Sequence, residues 1–114
     1  QPFLKALNAL ATDSSTQPTL SRLVGQLDSQ GVFKYNPTFQ NAYIKYVSSY
    51  EDRAWVAVNA ALQSGDPLIA QKLEGEGFVL QPVSGVESDK TIYVIKNPSY
   101  RPRFQTAGIG IANP

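Results

Sequence analysis

The chain has 114 residues, enough for one domain that buries roughly two-thirds of the surface its unfolded form exposes. Hydrophobic residues make up 42% and charged residues 17% of the sequence, a balance too apolar and too weakly charged for a disordered chain. The absence of cysteine and histidine excludes disulfides, thiolate nucleophiles and Cys- or His-ligated metal sites, and we expect no cofactor.

Two helical patterns occupy the first 31 residues. Apolar side chains at helical spacing predict a helix over Pro2 to Ala11. A second helix is predicted from about Pro18 until Gly31, which closes it. Gly25 lies inside that pattern, where glycine costs ~1 kcal/mol relative to alanine, so it indicates a close helix crossing.

The next part of the chain, residues 32–63, predicts a short extended link and then a long helical stretch. Asn36-Pro37 supplies an N-cap and a first-turn proline. Acidic Glu51-Asp52 favours the start of a further helix, because negative charge is stabilised at a helix N-terminus. The pattern leaves open whether residues 37–63 form one helix or two. Before Glu51 one apolar face continues over three turns, through Phe39, Ala42, Tyr43, Tyr46, Val47 and Tyr50.

The stretch from Asp66 to Lys96 predicts a helix followed by a β-hairpin. Asp66 is the N-cap and Pro67 the first helical residue, and Gly75 and Gly77 stop the helix. Strands are predicted over Phe78 to Val83 and Thr91 to Lys96, joined by the polar loop Ser84 to Lys90, with Pro82 marking an edge. We expect the side chains of Phe78, Leu80, Ile92 and Val94 to pack on the helices, because a lone hairpin is marginally stable.

Charge is unevenly distributed around a net value of +1. Residues 1–50 carry four bases and two acids, residues 51–89 carry two bases and seven acids, and residues 90–114 carry four bases and no acid. No apolar run approaches the ~20 residues that span a bilayer, so we expect no membrane partner. The chain has no methionine, so we expect a processed chain, a fragment or an excised domain.

A winged-helix domain ends in the order of elements predicted here: helix, two glycines, strand, polar loop and strand. In such a domain the helix before the hairpin enters the major groove of DNA. Residues 66–89 hold five acids and one base, which opposes contact with phosphates. Duplex binding by this helix is therefore not expected, although the scaffold can serve protein contacts.

The most suggestive short motif lies in the last segment. Two arginines flanked by two aromatic residues lie on a segment that proline stiffens. Their guanidinium groups and aromatic rings are available for contacts, as in a binding peptide. The arm either packs on its own domain, where its arginines meet the acidic middle, or contacts a partner or neighbouring subunit. The predicted partner-binding residues are Tyr100, Arg101, Arg103, Phe104, Ile109 and Ile111.

These patterns predict an α+β fold with four or five short helices, a C-terminal β-hairpin and an extended tail. Residues 1–97 are expected to form a compact helical domain with the hairpin, and residues 98–114 a Pro/Gly-rich arm. The predicted function is a non-catalytic protein interaction or assembly module, with a protein partner or a homo-oligomer. The alternatives are a winged-helix-like nucleic-acid-binding domain and a small hydrolase that uses carboxylates such as Glu74 and Glu76.

Overall fold

A computed structural model describes residues 2–84 and 91–96. The fold is α+β, as predicted: the described residues form five α-helices and two antiparallel hairpins. In chain order the elements are α1 (Pro2–Thr12), α2 (Gln17–Leu23), β1 (Gly25–Leu27), β2 (Phe33–Tyr35), α3 (Pro37–Ala42), a 3₁₀ turn (Ile44–Tyr46), α4 (Tyr50–Gln63), α5 (Pro67–Gly75), β3 (Leu80–Ser84) and β4 (Thr91–Ile95).

Helix α4 is the centre of the core. It is buried on nearly all sides because α1, α2, α5 and β4 all pack against it. Ser49 caps the helix, accepting a hydrogen bond from the Asp52 amide at 3.1 Å. Glu51 and Asp52 lie in its first turn, so the predicted acidic start of a further helix is confirmed.

Helix α5 begins and ends at the predicted residues. The Asp66 carboxylate accepts a hydrogen bond from the Leu68 amide at 3.0 Å and Pro67 is the first helical residue. The helix ends at Gly75, and Gly77 adopts a φ of +102°, which favours glycine. Two side-chain contacts then fix α5 against the first helices: Thr19 donates to Asp66 at 2.8 Å, and Lys72 lies 3.3 Å from Asp13.

The second helix is shorter than predicted. Helix α2 ends at Leu23, and Gly25 begins strand β1, which pairs with β2 in the register Gly25↔Tyr35. A Cβ on Gly25 would overlap the Lys34 carbonyl oxygen and lie 2.8 Å from the Tyr35 Cα. Gly25 therefore does mark a close approach, but between two strands. The helix crossing predicted there is wrong.

The helix after Pro37 is also shorter than the three turns that its apolar face predicted. Helix α3 ends at Ala42, and the chain passes through the 3₁₀ turn into an extended Val47 with φ −127° and ψ 145°. This path buries Ile44, which the predicted stripe did not include, together with Val47. Residues 37–63 thus form two helices separated by a corner.

The C-terminal hairpin is confirmed, but its second strand turns a different face to the core from the one predicted. The register pairs Leu80 with Ile95 and Pro82 with Tyr93, which puts these residues on a common face. Leu80, Tyr93 and Ile95 pack against the core cluster, as does Phe78 before the strand. Ile92 and Val94 lie on the opposite face, because side chains alternate along a strand, and their predicted packing on the helices is wrong.

Most of the predicted hairpin loop and the whole predicted arm, residues 98–114, lie outside the described residues. The boundary expected at residue 97 lies outside them as well. Among the helices that the structure describes, none has the length and apolar character needed to cross a membrane.

Candidate interaction surface

The six residues predicted to bind a partner, from Tyr100 to Ile111, lie outside the described part of the chain. Nearest to them is Lys96, whose amide donates to the Val79 carbonyl oxygen at 2.7 Å. The hairpin edge predicted to help them is present in strands β3 and β4. The described residues also form an apolar groove that was not predicted.

This groove, called here the α1–α4 groove, lies between α1, the turn joining β1 to β2, and the first turn of α4. Its cavity has a volume of about 180 Å³. Small-molecule sites measure roughly 300–1,000 Å³, whereas a cavity of about 150 Å³ holds a benzene ring. The groove is therefore the size of one large side chain. It is lined by Leu4, Leu7, Asn8, Gly31, Val32, Phe33, Tyr35 and Tyr50.

The groove combines a buried floor with an exposed rim. Leu7 on its floor is 1% exposed, whereas Val32 and Tyr50 on its rim are 48% and 69% exposed. Apolar side chains this exposed are informative when they border a concavity, since single ones are scattered over any protein surface. The other large apolar residues exposed in the described ranges are Tyr46, Leu68 and Val79.

An ordered turn presents Val32 to the groove. The Asp28 carboxylate accepts hydrogen bonds from the amides of Gln30 and Val32, both at 2.9 Å. These bonds, with a smaller contribution from Lys34, hold the pKa of the Asp28 carboxyl below its ordinary value. Gly31 completes the turn with a φ of +79°. The β1–β2 turn is thus held in place by the side chain of Asp28, one of its own residues.

Two of the lining residues belong to a series of aromatic rings in contact. Phe33 meets Tyr35 edge-on at 5.1 Å, and Tyr35 stacks on Phe39 at 6.0 Å. The apolar helix face predicted after Pro37 included Tyr43, Tyr46 and Tyr50. Trp55 is in the core, but Tyr46 and Tyr50 are exposed, because the chain leaves the helix after Ala42.

Arg53 places a cation next to the lining residue Tyr50. The Arg53 guanidinium is 5.9 Å from the centre of the Tyr50 ring, and its Nε is buried with no hydrogen-bond partner among the described residues. Burial raises the pKa of the Tyr35 hydroxyl to about 12, and the positive charge of Arg53 opposes that rise. Arg53 therefore adds a positive charge beside two aromatic lining residues.

Glu51 holds the two helical walls of the groove together. Its Oε1 accepts a hydrogen bond from the Phe3 amide at 3.4 Å, so a carboxylate from α4 meets the N-terminus of α1. The Phe3 ring lies edge-on to Trp55 at 6.3 Å, which adds an apolar contact between the same helices. The separation of the groove walls is thus set by long-range contacts.

A second exposed surface lies where α5 leads into β3. Glu74 and Glu76 are exposed on either side of Gly75, and Val79 is 52% exposed. We call these three residues, Glu74, Glu76 and Val79, the α5–β3 corner. Across residues 2–84 and 91–96, no three His, Cys, Asp or Glu side chains are grouped so that they could hold a metal ion.

Sequence reasoning missed the groove because its turn was assigned to a helix end and a link. A usable signal was present in Asp28-Ser29-Gln30-Gly31, a turn sequence between two short apolar segments. Comparison with models of protein families, with curated proteins and with solved structures finds no match to this chain.

Proposed function

We propose that this chain is a non-catalytic protein interaction or assembly module that receives a side chain of its partner in the α1–α4 groove. The observation that carries the proposal is an apolar cavity the size of one side chain, bordered by the exposed Val32 and Tyr50. Interfaces of this kind are centred on aromatic and aliphatic anchors that fill such cavities. The predicted arm and the hairpin edge remain part of the proposal as further contact surfaces.

The groove favours a protein partner over a nucleic acid. Its lining is apolar and aromatic apart from Asn8 and Gly31, and binding to phosphates depends on several cations. Helix α5 corresponds in chain order to the helix that enters the DNA major groove in a winged-helix domain. Its Lys72 is paired with Asp13. Glu74 and Glu76 are exposed at its end, where they repel phosphates.

Selection from a random twelve-residue peptide library displayed on phage tests the proposal. We expect the wild-type chain to enrich peptides that contain a large apolar residue, since such a side chain fills the cavity. Val32→Asp places a charge on the rim and should abolish retention of the enriched peptides. The control is Leu68→Asp, which changes a side chain exposed to a similar extent, 42%, outside the groove, and should retain them.

Two outcomes contradict the proposal. One is that the library yields no enriched sequences against the wild-type chain. The other is that Val32→Asp retains the enriched peptides as well as Leu68→Asp does, which would place their binding elsewhere. Thermal unfolding of both variants verifies that each is folded at the selection temperature.

A further inference from the structure

We infer that the C-terminal arm of this chain lies across the outer face of its own β3–β4 hairpin, with the rings of Tyr100 and Phe104 against that face. The described hairpin supplies the face, and the sequence of the arm, which lies outside the described residues, supplies the cover. This contact is separate from the α1–α4 groove and goes beyond the proposed function.

The outer face of the hairpin is apolar and turned away from the core. Val83, Ile92 and Val94 are half-buried, and they belong neither to the core cluster nor to the side chains packed on it. Val79, at the α5–β3 corner, continues the same side of the ladder and is 52% exposed. We call Val79, Val83, Ile92 and Val94 the outer β3–β4 face. An apolar patch of this kind indicates a contact surface.

The sequence of the arm alternates between apolar and cationic residues. Successive side chains of an extended chain point to opposite sides. Tyr100, Pro102 and Phe104 therefore share one side of the arm, and Arg101 and Arg103 share the other. The two prolines of residues 98–102 favour extended backbone. The arm thus offers one apolar side to a surface and keeps its arginines away from it.

The apolar side of the arm matches the outer β3–β4 face in length. Tyr100 and Phe104 are separated by four residue steps, ~14 Å in an extended chain. Val79 and Val83 are separated by the same four steps along the hairpin. The α1–α4 groove has room for one large side chain and cannot receive both rings. Of these two apolar surfaces, the outer β3–β4 face is therefore the one that fits the arm.

Covalent attachment selects this chain's own arm over other apolar segments. The arm begins two residues after Lys96, whose amide donates to the Val79 carbonyl oxygen at one end of the face. Asn97-Pro98 favours a turn at this point. Phe104 lies eight residues beyond Lys96, and a flexible chain of that length spans roughly 16 Å. An attached segment acts at a millimolar effective concentration, so a second copy competes poorly for the face.

Apolar contact, rather than charge, holds the arm in this arrangement. Lys96 is the charged side chain that the described ladder places on the outer side, and its charge has the same sign as those of Arg101 and Arg103. The exposed acids of the α5–β3 corner lie near one end of the face in sequence, and salt screens their attraction for the arm. The alternation leaves both arginines facing solvent, where they can still contact a partner.

Methyl NMR spectroscopy of the full chain tests the inference, because an aromatic ring shifts the resonances of methyl groups that it contacts. We expect Phe104→Ser to move the methyl resonances of the outer β3–β4 face and to lower the unfolding temperature by a few degrees. Both effects should be independent of protein concentration, since the contact lies within one chain. The buried Val56 and Val58 should keep their resonances, which verifies that the fold is retained.

Arg103→Ser is the matched control, since it changes the neighbouring residue on the opposite side of the arm. It should leave the methyl resonances of the face and the unfolding temperature nearly unchanged. Tyr100→Ser should act as Phe104→Ser does but on different methyl groups of the face, because the two rings lie four residues apart.

Four results would overturn the inference. In the first, neither ring variant moves the methyl resonances of the outer β3–β4 face. In the second, Arg103→Ser moves them as far as Phe104→Ser does. In the third, the affected methyl groups are those of Leu4 and Val32, which would place the arm in the α1–α4 groove. In the fourth, the effect disappears on dilution, which would assign the contact to a second copy.

Discussion

At the scale of single residues, Gly25 shows how one position decides an element. The Lys34 carbonyl oxygen occupies the place that a Cβ on Gly25 would take. Any other residue would push β1 away from β2 and move the turn that carries Val32. The glycine is therefore a requirement of the hairpin that forms one wall of the groove.

We expect Gly25→Ala to lower the free energy of unfolding by roughly 1–3 kcal/mol, the usual cost of forcing atoms into a packed site. The control is Gly75→Ala, because a Cβ there meets no atom within 4 Å. Alanine at the end of a helix should leave stability unchanged or raise it by up to ~1 kcal/mol. Denaturant unfolding measures both, and a Gly25→Ala variant of wild-type stability would contradict the close approach of β1 to β2 at this residue.

Tyr35, which lines the groove, predicts that the free energy of unfolding depends on pH. Burial raises its pKa to about 12, above the ~10 of an unfolded tyrosine. A raised pKa in the folded state stabilises the fold below pH ~10, and this contribution is lost as pH rises to about 12.

The Tyr35→Phe variant should therefore lose less stability than the wild type between these pH values. Its tyrosinate absorbance should also lack one component that titrates near pH 12. If the component missing from Tyr35→Phe titrates near pH ~10, the hydroxyl is not buried.

At the scale of elements, the β3–β4 hairpin shows which sheet face the core selects. Tyr93 and Ile95 pack on the core, whereas Ile92 and Val94 point to the other side. Both faces of β4 are apolar, so the alternation alone does not identify the buried one. Contact with α4 makes the choice.

We expect Ile95→Ala to cost about 1–3 kcal/mol, less than the ~2–5 kcal/mol of a fully buried site because the side chain is only half-buried. Val94→Ala is the comparison and should cost less, since its side chain is not part of the core cluster. Denaturant unfolding of the two variants ranks the faces. A larger loss for Val94→Ala would reverse the assigned register.

At the scale of the whole molecule, charge separates the chain into unlike parts. Residues 51–89 carry seven acids and two bases, and residues 90–114 carry four bases and no acid. These parts attract each other, although salt screens the attraction beyond ~8 Å. Charge steers such a contact, and apolar side chains such as Tyr100 and Phe104 have to hold it.

Truncation after Asn97 tests this role of the arm. We expect the truncated chain either to unfold at a lower temperature as a monomer, which would indicate docking on its own domain, or to lose an oligomeric form, which would indicate assembly. Sedimentation and thermal unfolding of both lengths distinguish these results. If neither the oligomeric state nor the unfolding temperature changes, the arm is only a linker.

The local sequence by itself determined the ends of α5, the acidic start of α4 and the β3–β4 pairing. Asp66, Pro67 and Gly77 act on the backbone within a few residues of themselves, so neighbouring positions are enough to predict their effect. Only the tertiary structure decided where α2 and α3 end, which face of β4 is buried and where the groove lies. Those features depend on contacts between residues that are not neighbours in sequence, such as Gly25 with Lys34 and Glu51 with Phe3. Burial of Ile44 and Val47 outweighs the helical pattern after Pro37.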